Sequence, residues 1–315
     1  MVVSESDVIA AFRLILGREP ESAEAVRALI ESHATIAELR ARFLNSEEFK
    51  IHHAASLKPL GWGRLDVDID VPEPILQDML ARVERLFKQL GDTEPHWSVL
   101  TDEKFKAANI GEHEDEFFGS GFGDVENFRA TAERCGVSLK PDGICFELGC
   151  GVGRVTLWLA KHFAKVIAAD LSAPHLEILR RKIEQSKLSN IEPLLLNTIS
   201  KLDQLPAFDA FFTIIVLQHN PPPVMAYFLR KMLGKLKVDG VGYFQLPTYR
   251  PGYSFNAAAY VAKPQVIGDP EMHVIPQHQL YQLIETAGCR LLEVREDDST
   301  GPGFISSRVL VQKRS

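Results

Sequence analysis

Cysteine is scarce. The four in this 315-residue chain, Cys135, Cys145, Cys150 and Cys289, form no C-x-x-C pair, which excludes the spaced thiols of metal and redox motifs and leaves reduced thiols as the expectation. Basic residues are not in excess either. Lys+Arg number 35 against 42 Asp+Glu, and the net charge of −7 offers no overall attraction to a polyanion, so no nucleic-acid partner is expected. No stretch approaches the ~18 uncharged apolar residues that span a bilayer. Val8 to Leu16 follows Glu5 and Asp7 and is broken by Arg13, unlike the basic start and unbroken core of a signal peptide. These absences point to a cytoplasmic protein with no membrane span. Asp66, Asp68 and Asp70 alternate, but the Gly and terminal Glu of a calcium loop are missing at the required offsets, so they read as a solvated linker and no metal site is expected.

What remains is ordinary globular material, 45% apolar, with room for one large domain and a small one. Its most informative stretch is Glu147-Leu148-Gly149-Cys150-Gly151-Val152-Gly153. An apolar run, Ile144 to Leu148, leads into it, and a helical pattern begins at Arg154. A strand that turns sharply into a helix opens backbone N–H groups to a ligand, and glycine suits the turn because it tolerates positive φ and permits close approach. The spacing is G-x-G-x-G and not the dinucleotide G-x-G-x-x-G: from Gly149 the last place is Arg154, and from Gly151 it is Thr156. Some ~20 residues on, the apolar run Val166 to Ala169 ends in Asp170, a carboxylate at a strand tip that can accept both hydroxyls of a ribose. A glycine turn followed by a ribose acid indicates a nucleoside ligand.

With Glu147 two places before Gly149 and Asp170 closing the second strand, the chain resembles the class I S-adenosylmethionine-dependent methyltransferases over about residues 95 to 315. The resemblance implies an α/β fold: a seven-stranded, mostly parallel, Rossmann-like sheet with an antiparallel last hairpin, here with a small N-terminal helical domain added. It implies S-adenosyl-L-methionine as cofactor, held by Glu147, Gly149, Gly151, Gly153, Asp170 and Leu171, with Asn197 and Thr198 at the adenine and Leu217 near the methyl group. Periodicity agrees. Strands are predicted over 144–148, 166–170, 191–196, 210–217, 241–246, 291–296 and 306–312, with helices over 154–163, 173–185, 222–236 and 276–287 between them.

Residues 1–52 read as a helical module in which Val8, Ile9, Phe12 and Leu16 share a face, Leu16 to Pro20 turns, and Ile36, Leu39 and Phe43 repeat the face. Its "LGREP" turn and "FLNSEEF" end resemble a domain of unknown function from bacterial surface and glycan-assembly proteins; an amphipathic extension packed on the main domain is the alternative. Residues 53–94 read as a linker and a charged helix from Pro74 to Leu90, and 95–315 as the methyltransferase domain. Trp97-Ser98-Val99 and Phe117 to Gly121 fall where the family places a helical cover. Thr248 to Ile275 is too irregular for a scaffold element and reads as a substrate lid.

Methyl transfer from a sulfonium is a one-step displacement, so the protein must align donor and acceptor and take a proton when the acceptor is a hydroxyl. His219, after strand four, is the candidate base, with an unperturbed pKa near ~6.5. A role as cofactor ligand stays open, and His273 and Tyr249 are secondary candidates. Asp297-Asp298 caps a strand in preference to ligating a cation. Asn220-Pro221-Pro222 resembles the Asn-Pro-Pro-aromatic motif of amino-group methyltransferases, but Pro223 removes the ring. The tail from Met272 to Asp298 resembles methyltransferase domains attached to bacterial polysaccharide assembly enzymes. The leading expectation is therefore O-methylation of a sugar or glycan intermediate. Alternatives are a different small-molecule acceptor (amine or carboxylate), or a catalytically silent cofactor-binding scaffold that docks proteins through residues 1–52.

Overall fold

The structure is a computed structural model that describes residues 3–53, 63–301 and 303–314. Residues 54–62, within the predicted linker, lie outside the described residues. The chain divides into two compact units, Met1–Arg64 with Gly301–Phe304, and Leu65–Thr300 with Ile305–Ser315.

In the first unit α1 (Glu5–Ala11) opens with a capping box between Ser4 and Asp7, and α3 (Ile36–Leu44) with one between Thr35 and Glu38, so orphan N–H groups of both helices are satisfied locally. A π-helical turn, Phe12–Leu16, extends α1 and stops at Gly17, whose φ of 69° a side chain would resist. Between them lies α2 (Ala23–Ser32), and α4 (Glu47–His53) follows. The apolar faces meet in a small core of Val3, Val8, Phe12, Val26, Leu39 and Phe43, with Phe12 edge-on to Phe43 at 4.9 Å between ring centroids.

The second unit is built on one seven-stranded sheet in the order β3-β2-β1-β4-β5-β7-β6. The strands are β1 Ile144–Leu148, β2 Lys165–Asp170, β3 Ile191–Leu195, β4 Phe208–Thr213, β5 Leu236–Tyr249, β6 Cys289–Asp297 and β7 Ile305–Lys313. The first five pair in parallel, and β7 runs antiparallel between β5 and β6. Strand order reverses between β1 and β4, which opens a crevice at their carboxyl ends. β4 is buried along its whole length, as a central strand covered on both faces must be. Phe211 lies on one face near Phe146 and Phe244, and Phe212 on the other near Phe128 and Tyr243.

The helices of this unit are α5 Glu73–Thr93, α6 Ile110–Arg134, α7 Thr156–Leu159, α8 Ala173–Ser186, α9 Pro222–Lys235, α10 Ala257–Ala262 and α11 Gln277–Thr286. Several differ from expectation. Strand four stops at Thr213 and not at residue 217, because Ile215 adopts a φ of 56° that ends the extended run. The helix expected over 154–163 shrinks to the single turn α7. The supposed lid contains α10, whose last carbonyls are bound by Arg82 of α5: its guanidinium donates to the carbonyls of Tyr260, Val261 and Lys263. The three aspartates of the supposed linker are not all simply solvated. Asp68 accepts the Ala257 N–H at 2.8 Å and Asp70 pairs with Arg230 at 2.6 Å. The flanking chain adds backbone bonds from Asp68 N–H to Phe255 and from Phe255 N–H to Asp66, each 3.0 Å.

These bonds make a concrete prediction. A chain beginning at Leu65 keeps them and one beginning at Ile75 loses them, so the shorter chain should be less stable by about 1–3 kcal/mol. Urea unfolding of the two, followed by circular dichroism, checks this; equal stability would mean the strap does not hold α10.

Candidate active site

The crevice between β1 and β4 is walled on one side by the glycine turn. Gly149, Gly151 and Gly153 have φ of 71°, 52° and 96°. A Cβ on Gly149 would fall on a methyl of Val216, and one on Gly151 or Gly153 would sit 2.5 Å from a methyl of Val99 or Leu179. The glycines are thus demanded by backbone conformation and by protein side chains pressed against the turn, not by ligand approach alone. The Gly149 and Cys150 N–H groups donate to the Ala169 carbonyl at 2.7 and 3.0 Å, which ties the turn to β2.

Asp170 closes that link. One carboxylate oxygen accepts the Gly151 N–H and the other the Ser172 N–H, both at 2.8 Å. Each oxygen keeps a second lone pair for a further donor. Glu147 is 3% exposed and accepts the Thr156 hydroxyl at 2.6 Å. Burial pushes its pKa up to about 7, against the pull of Thr156 and of the Arg154 charge.

On the opposite side stand Ile214, Ile215, Val216, His219 and Asn220. Ile215 at positive φ is strained, and the Gln245 side chain holds it by accepting its N–H at 2.8 Å. Gln245 is fully buried and donates to Gln218 at 3.0 Å and to Ser306 at 2.7 Å. His219 donates through Nδ1–H to the Glu271 carbonyl at 3.0 Å, which leaves Nε2 as the acceptor nitrogen, where the Gln218 side-chain amide donates at 3.4 Å. Burial pulls its pKa down to about 4, only partly offset by that bond. The ring is therefore neutral across the ordinary pH range.

Not every expected residue is at this cavity. Glu147, Gly149, Gly151, Asp170, Leu171 and His219 line it. Gly153 packs on Leu179, Leu217 is fully buried in a 3-10 turn, and Asn197 and Thr198 stand outside the lining. His273 donates through Nε2–H to Glu271 at 2.9 Å and accepts the Tyr253 hydroxyl at 3.0 Å, so both its nitrogens are occupied. Asp297 accepts the Ser299 N–H and pairs with Arg308, each about 3 Å, as a strand cap would. Among the described residues no group of three His, Cys, Asp or Glu could hold a metal.

The sequence reading missed Val83 and Phe87 of α5 and His175 of α8, all in the cavity wall; Ser98 and Val99, expected in a cover over the cofactor, line it too. The spacing of Leu76, Leu80, Val83 and Phe87 signals an apolar stripe on α5. His175 gave no signal; it bridges Ser172 and Ser98 at 2.6 and 2.8 Å and so fastens the segment carrying Val99 over the glycine turn.

Residues 146–240 match the family model described as a methyltransferase domain. No curated protein matches the chain. Among solved structures, magnesium protoporphyrin IX methyltransferase from Synechocystis PCC 6803 with bound SAH is similar at TM-score 0.52 and 15% identity, over 75% of this chain and 99% of that one. Its form with bound SAM gives TM-score 0.50 and 13% identity over 75% and 97%. A Burkholderia thailandensis 1,6-didemethyltoxoflavin-N1-methyltransferase gives TM-score 0.49 and 15% identity over 82% and 98%. At such identities the structural likeness is one of fold. Residues 146–240 thus carry a methyltransferase domain, and the cavity suits S-adenosylmethionine: a carboxylate, Asp170, with open lone pairs, apolar walls, and few polar groups.

Glu147 gives a pH test. Its carboxyl holds the proton more tightly folded than unfolded, so its contribution to stability is complete below about 4.5 and is lost as pH rises through about 7. Glu147→Gln keeps the Thr156 bond and cannot ionise. Urea midpoints at pH 5 and pH 8 should therefore fall less for the variant than for the native chain; parallel slopes would overturn the assignment.

Proposed function

We propose that the chain O-methylates a small, polar, hydroxyl-bearing acceptor, with a sugar or glycan intermediate as the leading class, and that His219 receives the hydroxyl proton. One observation carries this reading. His219 and Val83 form a wall common to the cofactor cavity and to a second cavity lined by Arg82, Tyr260, Lys263, Gln265, Asp269 and Glu271. A polar recess rich in donors and acceptors suits a polyhydroxylated molecule, and the imidazole stands between the two spaces.

When bound, S-adenosylmethionine supplies an electrophilic methyl group on a sulfonium sulfur. Asp170 would hold its ribose hydroxyls, and Val83, Val99 and Val216 its apolar surface. Glu271 fixes the His219 tautomer, so the Nε2 lone pair, on which the Gln218 amide makes only a long 3.4 Å contact, would pass from that amide to the acceptor proton. A base with a pKa of about 4 is weak. It suffices here, because the proton on an oxygen becomes strongly acidic as that oxygen bonds the methyl carbon, and transfer can follow late.

A second reading rests on Asn220. It is 3% exposed, its Nδ2 donates to the Val216 carbonyl at 2.9 Å, and its Oδ1 is buried without a partner beside the cavity. An amine acceptor would satisfy that oxygen.

The test is a panel of methyl glycosides, nucleotide sugars and primary amines, incubated with methyl-labelled cofactor and read by mass spectrometry. Label on glycosyl oxygen supports the first reading; label on nitrogen alone supports the second. With the accepted substrate, His219→Ala should lower kcat by about 10²-fold or more while SAH affinity stays within a few-fold. Native kcat should be flat from about pH 5 to 8, falling only as the imidazole protonates towards 4. A rise centred near ~6.5 would mean that His219 titrates as an unburied histidine.

A further inference from the structure

The recess beyond His219 is not polar throughout. Val83, Leu86, Pro264 and Val266 line it beside the polar groups. Val83 also lines the cofactor cavity, as does Phe87 one turn further along α5, so an apolar track continues from the cofactor space along that helix into the recess, where Val266 joins it. At the rim the chain spends apolar surface on solvent. Val266 is 88% exposed and Ile267 44%, the only adjacent pair of large apolar residues left exposed among the described residues. Both ends of their loop are held. Arg82 donates to the Lys263 carbonyl at 2.8 Å, and the Gln265 side chain accepts the Arg85 Nε–H at 3.0 Å and donates to the Arg82 carbonyl at 2.8 Å. On the far side the Glu271 carboxylate accepts Tyr260 and His273. Between these anchors residues 266–270 make no hydrogen bond.

Apolar side chains exposed singly are ordinary, but an adjacent pair held at the rim of a cavity marks a surface that something apolar covers. Continuity says what covers it. Val266 belongs to the recess wall, and the inner end of the same apolar track lies at the cofactor, so a molecule that fills the recess passes under the pair; a second protein chain seated there would instead cover the rim. We infer that the acceptor is amphiphilic: its reacting end enters the recess to reach His219, and an alkyl or aryl group attached to it leaves over Leu86 and beneath Val266 and Ile267. This rests on the recess being the acceptor side, as proposed above, and adds a tail that is required whether the reacting atom is oxygen or nitrogen. Binding energy gained on that remote group then selects the acceptor, while the polar groups place its head.

Two monomeric series test it on the full chain with methyl-labelled cofactor: the methyl, butyl and hexyl glycosides of glucose, galactose and mannose, and methylamine, butylamine and hexylamine. In whichever series takes the label, kcat/KM should rise about two- to fourfold per methylene, the yield of apolar surface removed from water. Val266→Ser combined with Ile267→Ser should cut the hexyl-to-methyl ratio of kcat/KM by about tenfold, and Val266→Leu should keep it. Both positions are exposed, so the serine variant should fold, which circular dichroism checks. A native ratio near one overturns the amphiphile, as does a rise that the serine variant retains. A flat series together with native chain that sediments with phosphatidylglycerol–phosphatidylcholine vesicles, and serine variant that does not, would make the tip a membrane contact and overturn it likewise. The two readings fail separately: labelled glycosides without a rise sink the tail and leave the sugar, and labelled amines with a rise leave the tail and sink the sugar. Label in neither series overturns both.

Discussion

Close packing at the turn after β1 is the constraint on which the site depends. Three residues there hold positive φ while Val216, Val99 and Leu179, from three other parts of the chain, press into the space where Cβ atoms would be. The contact with Val216 sets the β4 loop against the turn, and the contact with Val99 brings the segment before α6 over it. The contact with Leu179 seats α8. Any side chain on the turn would therefore disturb the cavity from several directions at once, through sterics and through the φ > 0 that L-residues resist.

A second constraint is polar. The strained Ile215 backbone persists because Gln245 accepts its N–H, and Gln245 is itself saturated by Gln218 and Ser306. A buried amide with every group satisfied is rigid, whereas loss of one partner leaves an unpaired donor or acceptor inside the core. Glu271 does the corresponding work on the other side of His219: its carbonyl orients that ring, and its carboxylate receives Tyr260 and His273 at 2.9 Å each. The β4 side of the cavity is thus assembled by two residues that never appear in a glycine or acid motif.

That division explains what the sequence disclosed. The parallel sheet was legible because buried strands such as Ile144–Leu148 and Lys165–Asp170 are short apolar runs bounded by turn residues; the antiparallel hairpin came from the family resemblance, with which the absence of a helical pattern between β6 and β7 agrees. The glycine turn and Asp170 were legible as one wall of the cavity because sterics demand glycine there and an acid at the strand tip is what a ribose would need. The opposite wall was not. By composition strand four continues to Leu217, but a single β-branched residue at positive φ ends it, and no local signal announces that. Likewise α5 reads as a charged helix; its apolar stripe shows that it packs, but not that Val83 and Phe87 face a ligand space. His219 was found by position, and its burial, which sets its basicity, is a property of the assembled fold.

Burial acts on the two key titratable groups in opposite senses with one outcome. It raises Glu147 to about 7 and lowers His219 to about 4, so near pH 6 both favour their neutral forms. The formal charges that remain in the wall are Asp170 and Arg154, at the turn and the tip of β2, while the β4 side presents Ile214, Ile215, Val216, His219 and Asn220 without a charge. Methyl transfer from a sulfonium to a neutral acceptor spreads a localised positive charge over a longer array of atoms in the transition state. Fixed negative charge beside the sulfur would stabilise the compact ground-state cation more than the dispersed one and so raise the barrier. A neutral imidazole avoids that penalty and, in the proposed reaction, would still accept the proton as the product forms. The depressed basicity of His219 is in that sense consistent with the role proposed for it, since an anionic base in the same place would hold the donor where it starts.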